Sequence, residues 1–322
     1  MKIAMIGQKG IPATSGGVEK HVEEMAIRLV EQGHEVTVYC RSTYMKQNLK
    51  EYKGVKLITI NTIDCKSLDA IIYTFKATIH AVFKGYDVYH YHALGPASLS
   101  FIPKIFGKKV VVTVHGLDWK REKWGNFAQS YLKFGEFVTG HFADKIVSVS
   151  KNLSEYFIEK YKRNEENVVY IPNGVNIQCN RESNEIKKYG LGHDDYILFL
   201  ARLVPEKGAH YLIAAYNNLN TDKKLVIAGG SSFTEDYVKQ LQGLAGDNKS
   251  IIFTGNVGGN LLAELYCNCA LYVLPSDIEG MPLTLLEALS YGKKVLVSDI
   301  KENLQVIEIG RASCRERVFA GC

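Results

Sequence analysis

The stretch Ala270-Leu271-Tyr272-Val273-Leu274-Pro275-Ser276-Asp277-Ile278-Glu279-Gly280-Met281-Pro282-Leu283-Thr284-Leu285-Leu286-Glu287-Ala288-Leu289 changes its grammar partway along. Its first five residues form an unbroken apolar run of strand length that stops at a proline, which reads as a buried strand. From Pro282 the pattern becomes helical, with proline in the first turn where its missing N–H costs nothing. A strand that passes through a short loop into a helix is the repeating unit of a parallel α/β sheet. In such a sheet the loops at the carboxyl ends of the strands face the ligand crevice. Glu279 falls in that loop, where a carboxylate can accept hydrogen bonds from a polyol; a plain solvated loop charge is the alternative. Glu287 falls about two turns into the helix among leucines, where an unpaired buried carboxylate would cost on the order of several kcal/mol, so it needs a partner.

The same alternation runs along the rest of the chain. Lys2 to Ile6, Glu35 to Cys40, Lys56 to Ile60, Asp87 to Tyr91, Lys109 to Val114 and Lys145 to Val149 read as strands. Between them Val18 to Gln32, Ser67 to Phe83 and Trp124 to Phe142 have the length and spacing of helices, so the first half reads as a doubly wound parallel sheet. A second series follows in Tyr196 to Ala201, Lys224 to Ala228, Ile251 to Thr254, Ala270 to Leu274 and Lys294 to Val297. The turn-rich Pro172-Asn173-Gly174-Val175-Asn176 separates the two, so domains are expected at 1–174 and 175–308. Two such domains facing each other would make a ligand cleft.

A length of 322 residues suits two cores, and 46% hydrophobic residues suits packed ones. The 39 basic and 34 acidic residues leave a net charge of +5, far short of a nucleic-acid binder, though it permits attraction to anionic ligands or lipid. Seven cysteines without a Cys-x-x-Cys pair read as reduced cytosolic thiols, and none of their spacings indicates a metal site. Met1 to Gly7 is too short for the apolar core of a signal peptide, and no run reaches the length that spans a bilayer. A cytoplasmic protein, soluble or peripheral on the cytoplasmic face of a membrane, is expected.

Several residues suit a phosphorylated sugar ligand. After the first strand comes Gly7-Gln8-Lys9-Gly10-Ile11-Pro12-Ala13-Thr14-Ser15-Gly16-Gly17-Val18-Glu19. Gly16 and Gly17 open a helix whose backbone N–H groups and positive dipole end favour an anion such as a diphosphate; a plain tight turn fits equally. In Arg202-Leu203-Val204-Pro205-Glu206-Lys207-Gly208 two cations follow the first strand of the second half. Aimed at a departing diphosphate they would stabilise its developing charge in place of a divalent metal, for which no Asp-x-Asp element is seen; taken alone they read more readily as solvated charges. His115 ends an apolar strand and is followed by Gly116 and, after Leu117, by the carboxylate of Asp118. It suits a bond to a sugar hydroxyl, against the alternative of a structural hydrogen-bonder. The aromatic stripe Phe127, Tyr131, Phe134 and Phe137 reads mostly as core, and the basic Trp119-Lys120-Arg121-Glu122-Lys123-Trp124 before it reads first as core and alternatively as a contact for an acidic lipid surface.

Taken in order, Gly16-Gly17-Val18-Glu19, His115-Gly116, Ile171-Pro172-Asn173-Gly174-Val175, Arg202 with Lys207-Gly208, and Glu279 to Glu287 resemble the retaining nucleotide-sugar glycosyltransferases of family 4. The resemblance covers residues 1 to about 307 and implies a GT-B architecture: α/β, two facing Rossmann-like doubly wound domains. It implies that Arg202 and Lys207 bind the donor diphosphate, Glu279 the transferred sugar, Glu287 the ribose, and that His115 supports the sugar near the reacting carbon. Asn256 and Val257 would lie near the base, Gly16, Gly17, Gly280, Met281, Pro282 and Leu283 along the donor, and Glu19 and Asp118 on the acceptor side. It also implies retention of configuration, no bound metal and no cofactor beyond the nucleotide diphosphate sugar, with a glycan or lipid-linked acceptor as partner. The opening Ile6 to Ala13 looks most like bacterial members that add rhamnose or another hexose to surface polysaccharide.

From Ile309 the sequence reads as neither helix nor strand, so residues 309–322 are expected to be a foreign or disordered tail on an incomplete second domain. Two rival functions remain: a sugar-nucleotide epimerase, which would convert its substrate without an acceptor, and an inactive truncated nucleotide-binding remnant.

Overall fold

The computed structural model describes the chain except residues 15, 46, 48, 64–67, 121–124, 177–182, 233, 314–318 and 321–322, with backbone alone for 310–313 and 319–320. It divides into two compact units, Met1–Asn173 and Gly174–Cys322.

In the first unit the elements run β1 (Lys2–Ile6), α1 (Gly17–Glu31), β2 (Glu35–Arg41), β3 (Glu51–Tyr52), β4 (Val55–Ile60), α2 (Leu68–Val82), β5 (Val88–His92), α3 (Leu94–Ala97), α4 (Phe101–Ile105), β6 (Lys109–Val114), α5 (Asn126–Phe142), β7 (Lys145–Ser148), α6 (Lys151–Tyr161) and β8 (Val168–Tyr170). They form one sheet in the order β3-β4-β2-β1-β5-β6-β7-β8, parallel except at the β3–β4 edge. Central strands in a sheet covered on both faces must be apolar throughout, and Ala4, Met5, Ile6, Val110, Val112 and Val114 are fully buried.

The second unit continues with β9 (Tyr196–Leu200), α7 (Ala209–Asn217), β10 (Lys224–Ala228), α8 (Glu235–Ala245), β11 (Ile251–Gly255), α9 (Gly259–Asn268), β12 (Leu271–Leu274), α10 (Leu283–Ser290), β13 (Val295–Val297), α11 (Lys301–Ser313) and β14 (Phe319–Ala320). Its sheet has the order β11-β10-β9-β12-β13-β14, and every pairing is parallel. Both units are therefore α/β and doubly wound, as the alternating pattern implies.

Three expectations need correction. The stretch from Ile309 does not lose regular structure at once, because α11 runs on to Ser313 and β14 pairs with β13 through Leu296–Phe319 and Val297–Ala320. Glu287 lies one turn into α10, which starts at Leu283 with Pro282 as its N-cap. The aromatic stripe of α5 is not core: Phe127 is 73% exposed, Phe134 47% and Phe137 48%. The buried face of α5 instead carries Leu132, Gly135, Glu136, Val138 and Thr139. Gly135 is required there, since a Cβ on it would stand 1.9 Å from the Leu94 carbonyl oxygen.

That face also holds a polar hub. The Glu136 side chain, 1% exposed, accepts hydrogen bonds from Trp119 Nε1 at 2.5 Å, Tyr156 Oη at 2.8 Å, Lys160 Nζ at 2.6 Å and Tyr161 Oη at 2.7 Å. It joins α5, α6 and the turn at Asp118–Lys120 through one carboxylate.

Candidate active site

In the second sheet β9 and β12 are neighbours, with β10 and β11 on one side and β13 and β14 on the other. The strand order reverses at this pair, which makes it a topological switch point, where ligands of open α/β sheets bind beyond the carboxyl ends of the strands. The loop after β9 carries Arg202 and Lys207, and the loop after β12 carries Glu279. Gly208 adopts φ +70°, and a Cβ there would fall 2.0 Å from the Pro275 carbonyl oxygen, so only glycine lets the two loops meet this closely. Asp277 N donates to Glu206 O at 3.0 Å and ties the same loops together.

This contact brings Lys207 Nζ onto Glu279 Oε1, which also accepts from Ser276 Oγ at 2.8 Å. Their side chains are only 16% and 6% exposed, so the ion pair is well shielded from water. An ammonium has three N–H donors, so Lys207 can hold Glu279 and still bind an anionic ligand. Residues from the neighbouring strands converge on the same edge. Leu203 N donates to Gly230 O at 2.9 Å, Gly229 N donates to Gly255 O at 2.8 Å, and a Cβ on Gly230 would stand 2.6 Å from Asn256 Nδ2. Arg202 and Asn256 thus flank one set of loops, with Asn256 exposed.

The partner that Glu287 needs is Tyr266, whose Oη donates to Glu287 Oε2 at 2.9 Å. Tyr266 is fully buried, stacked on Tyr291 with ring centroids 5.3 Å apart, and burial followed by the Glu287 charge holds its phenol well above the usual range. Glu287 stays partly exposed on α10. Gly280, Met281 and Pro282 precede this helix, whose N-terminus has no side-chain cap; its first amides lack intrahelical partners and form a positive dipole end.

Of the two forms open to the glycine loop of the first unit, an anion cradle or a plain tight turn, the hydrogen bonds favour the turn. Glu19 Oε1 accepts from Lys9 N at 3.0 Å, Glu23 Oε2 accepts from Ala13 N at 2.5 Å, and a Cβ on Gly16 would meet Glu19 Oε2 at 2.0 Å. Two buried carboxylates of α1 therefore occupy the loop, and the charge next to Gly16 and Gly17 is negative. Glu19 acts on its own loop. Asp118 opens the short turn after His115, half-buried.

His115 is grouped with residues that motif spacing did not single out. His92 Nδ1 lies 3.4 Å from His115 Nε2, and the His21 ring centroid lies 4.9 Å from that of His115. His21 Nδ1 is 3.0 Å from Asn173 Oδ1, and His90 Nε2 is 2.7 Å from Thr113 Oγ1. Burial pushes His90 down to about 3, carries His92 well below the usual histidine range and lowers His21, so these imidazoles are neutral near pH 7. The one visible signal was Tyr89-His90-Tyr91-His92, with two histidines on one face of a strand. Arg121 to Trp124, four of the six residues of the candidate lipid-binding stretch, lie outside the described residues.

The family model of Glycosyltransferase Family 4 matches residues 15–178. The chain belongs to glycosyltransferase family 4. A second model, Glycosyl transferases group 1, matches residues 181–312 of this glycosyltransferase. Over 320 aligned residues it is 25% identical to the UDP-Gal:alpha-D-GlcNAc-diphosphoundecaprenol alpha-1,3-galactosyltransferase of Escherichia coli, covering 94% of this chain and 81% of the relative. It is 28% identical, over an alignment 333 positions long, to an uncharacterised glycosyltransferase of Methanocaldococcus jannaschii, covering 96% of this chain and 83% of the relative. Its fold matches that of Anabaena HepE, solved with UDP and glucose, at a TM-score of 0.75 and 21% identity, covering 95% of this chain and 82% of HepE. The glycosyltransferase is a transferase enzyme with the GT-B type of fold, two Rossmann-like parallel-sheet domains.

Proposed function

We propose that the protein transfers a hexose or deoxyhexose, rhamnose among the candidates, from a nucleotide diphosphate sugar to a glycan or lipid-linked acceptor in cell-surface polysaccharide synthesis. The observation that carries this reading is the shielded Lys207–Glu279 pair at the β9–β12 switch point, with Arg202 on the loop that carries Lys207. The named activity of the Escherichia coli relative and the UDP in the Anabaena structure support the same class of donor. Arg202, Lys207 and the N-terminal amides of α10 stabilise the negative charge that gathers on the diphosphate as its bond to the sugar breaks. Glu279 and His115 bond the sugar, Glu287 holds the ribose and Asn256 with Val257 borders the base. The acceptor hydroxyl attacks on the face from which the diphosphate leaves, and its proton passes to a diphosphate oxygen, giving retention without a metal on the phosphates.

Calorimetric titration with UDP, GDP and dTDP tests the donor site. One nucleotide binds the wild-type chain, and Lys207→Ala weakens that binding at least tenfold; a folded chain that binds none of the three overturns the reading.

A peripheral membrane position fits the outer faces of the first unit's helices. Phe75 and Phe83 on or next to α2, Ile105 and Phe106 at the end of α4, and Phe127, Phe134 and Phe137 on α5 are exposed, α4 touches both α2 and α5, and Lys104, Lys108 and Lys133 lie among them in sequence. No helix among the described residues is long and apolar enough to cross a membrane. A basic surface gains about 1 kcal/mol per Lys or Arg near anionic lipid. Replacing Lys120, Arg121 and Lys123 with Glu therefore abolishes cosedimentation with phosphatidylglycerol vesicles, and unchanged cosedimentation sinks this part of the proposal.

A further inference from the structure

The histidine group of the first unit offers chemistry that sugar binding leaves unused. One ring nitrogen from each of His21, His92 and His115 lies within 4.8 Å of the other two. The ring centroids are 4.9, 5.7 and 5.8 Å apart. Three imidazoles holding one tetrahedral ion at about 2.0–2.1 Å place neighbouring ligand nitrogens about 3.3 Å apart and ring centroids about 5 Å apart. The 3.4 Å separation of His92 Nδ1 from His115 Nε2 matches the first of these distances.

Two further observations point to a ligand. The Nε2 atom of His21 has no hydrogen-bond partner among the described residues, although buried polar atoms in proteins are generally paired. Asn173 Oδ1 accepts from the Nδ1–H of His21, which leaves the lone pair on Nε2. A carbonyl oxygen on the far nitrogen is how proteins orient and tautomerise a metal-binding histidine. His90 is held by Thr113 and packs under His92 with ring centroids 4.3 Å apart, so it supports the group from beneath.

We propose that His21, His92 and His115 form a binding site for a divalent transition ion of the zinc class. Imidazole nitrogens without carboxylates select zinc, cobalt, nickel or copper over magnesium and calcium. Three protein ligands leave a fourth position open to water or a substrate hydroxyl. The site is distinct from the donor diphosphate residues, all of which belong to the second unit. Its effect on catalysis rests on the proposed role of His115: an ion there occupies the ring that would bond the sugar, so it inhibits transfer.

Titration of the purified full chain with Co2+, followed by visible absorption, tests the site without any assay of transfer. The expected result is one Co2+ per chain with the intense d–d bands of tetrahedral coordination. His21→Gln and His92→Gln lose these bands, and Asn173→Ala keeps them with affinity weakened about 10- to 100-fold. His193→Gln, a substitution of an exposed histidine in the second unit, leaves the titration unchanged. Thermal melts identify variants that fail to fold; if His92→Gln does, His21→Gln and Asn173→Ala decide. A folded wild-type chain without tetrahedral bands overturns the proposal, as does binding that persists in His21→Gln. Loss of transfer activity in every preparation would count against the glycosyltransferase reading and leave the Co2+ result standing.

Discussion

Lys207→Ala lowers the transfer rate by about 10²-fold or more while the chain stays folded. Removal of one preorganised charge from a developing anion costs roughly 10²–10³ in turnover, and Lys207 lies against Glu279 with little access to water. The substitution also releases Glu279 from its cation, leaving Ser276 Oγ as a hydrogen-bond donor to that carboxylate. Initial rates under saturating donor, with circular dichroism as the fold control, measure the effect. Glu287→Ala is expected to fall in the same range through loss of the proposed ribose contact, with Tyr266 Oη turning to Thr284 O, already 3.1 Å away. Rates near wild type for both variants would overturn the assignment of the site.

Glu136→Ala is the substitution expected to harm stability most. It strips the acceptor from Trp119 and Tyr161, and from Tyr156 and Lys160, all within 2.8 Å of the carboxylate. An orphaned buried donor costs about 1–3 kcal/mol; with Lys160 and the ring hydroxyls able to reach water in part, a total of about 3 kcal/mol is expected by urea unfolding of the first unit. Burial alone would raise the Glu136 carboxyl, but the bonds from Lys160, Tyr161, Trp119 and Tyr156 hold it below the usual carboxylate value. A group whose folded pKa is depressed stabilises the fold above its unfolded pKa, about 4.3 for glutamate. The wild-type advantage over Glu136→Gln is therefore full at neutral pH and fades as pH falls through the acid range below about 4. An advantage that stays constant down to pH 3 would contradict this account.

The strands, and the position of Arg202, Lys207 and Glu279 in the loops just after them, were legible because they obey local rules. A run such as Val110-Val111-Val112-Thr113-Val114 has no alternative to a buried strand, and a residue just after a parallel strand points to the ligand edge whatever its neighbours are. The histidine group was not legible, since His21, His92 and His115 meet only through the packing of α1 and the β5–β6 register, where His92 pairs with Thr113. Glu136 reads as an ordinary polar helix position until α6 delivers Tyr156, Lys160 and Tyr161 to it. The stripe on α5 fails for a different reason. Periodicity identifies a face, but Phe127, Phe134 and Phe137 face outward, while Gly135 permits a closer approach to α3 than any large side chain would. The role of Glu19 was missed similarly, because a helix N-terminus that invites an anion can be supplied with one by its own chain.

The placement of Arg202, Lys207, Asn256, Glu279 and Glu287 after the Asn173–Gly174 boundary, in one contiguous piece of chain, has an evolutionary consequence. A single recombination breakpoint between the two coding halves carries the whole set intact, strand order and loop contacts included. On the donor-binding role proposed for these residues, ancestors of such a gene could exchange one half for a new donor preference without redesigning the other, and a laboratory chimera joined at this boundary should inherit its nucleotide preference from the parent of its second half.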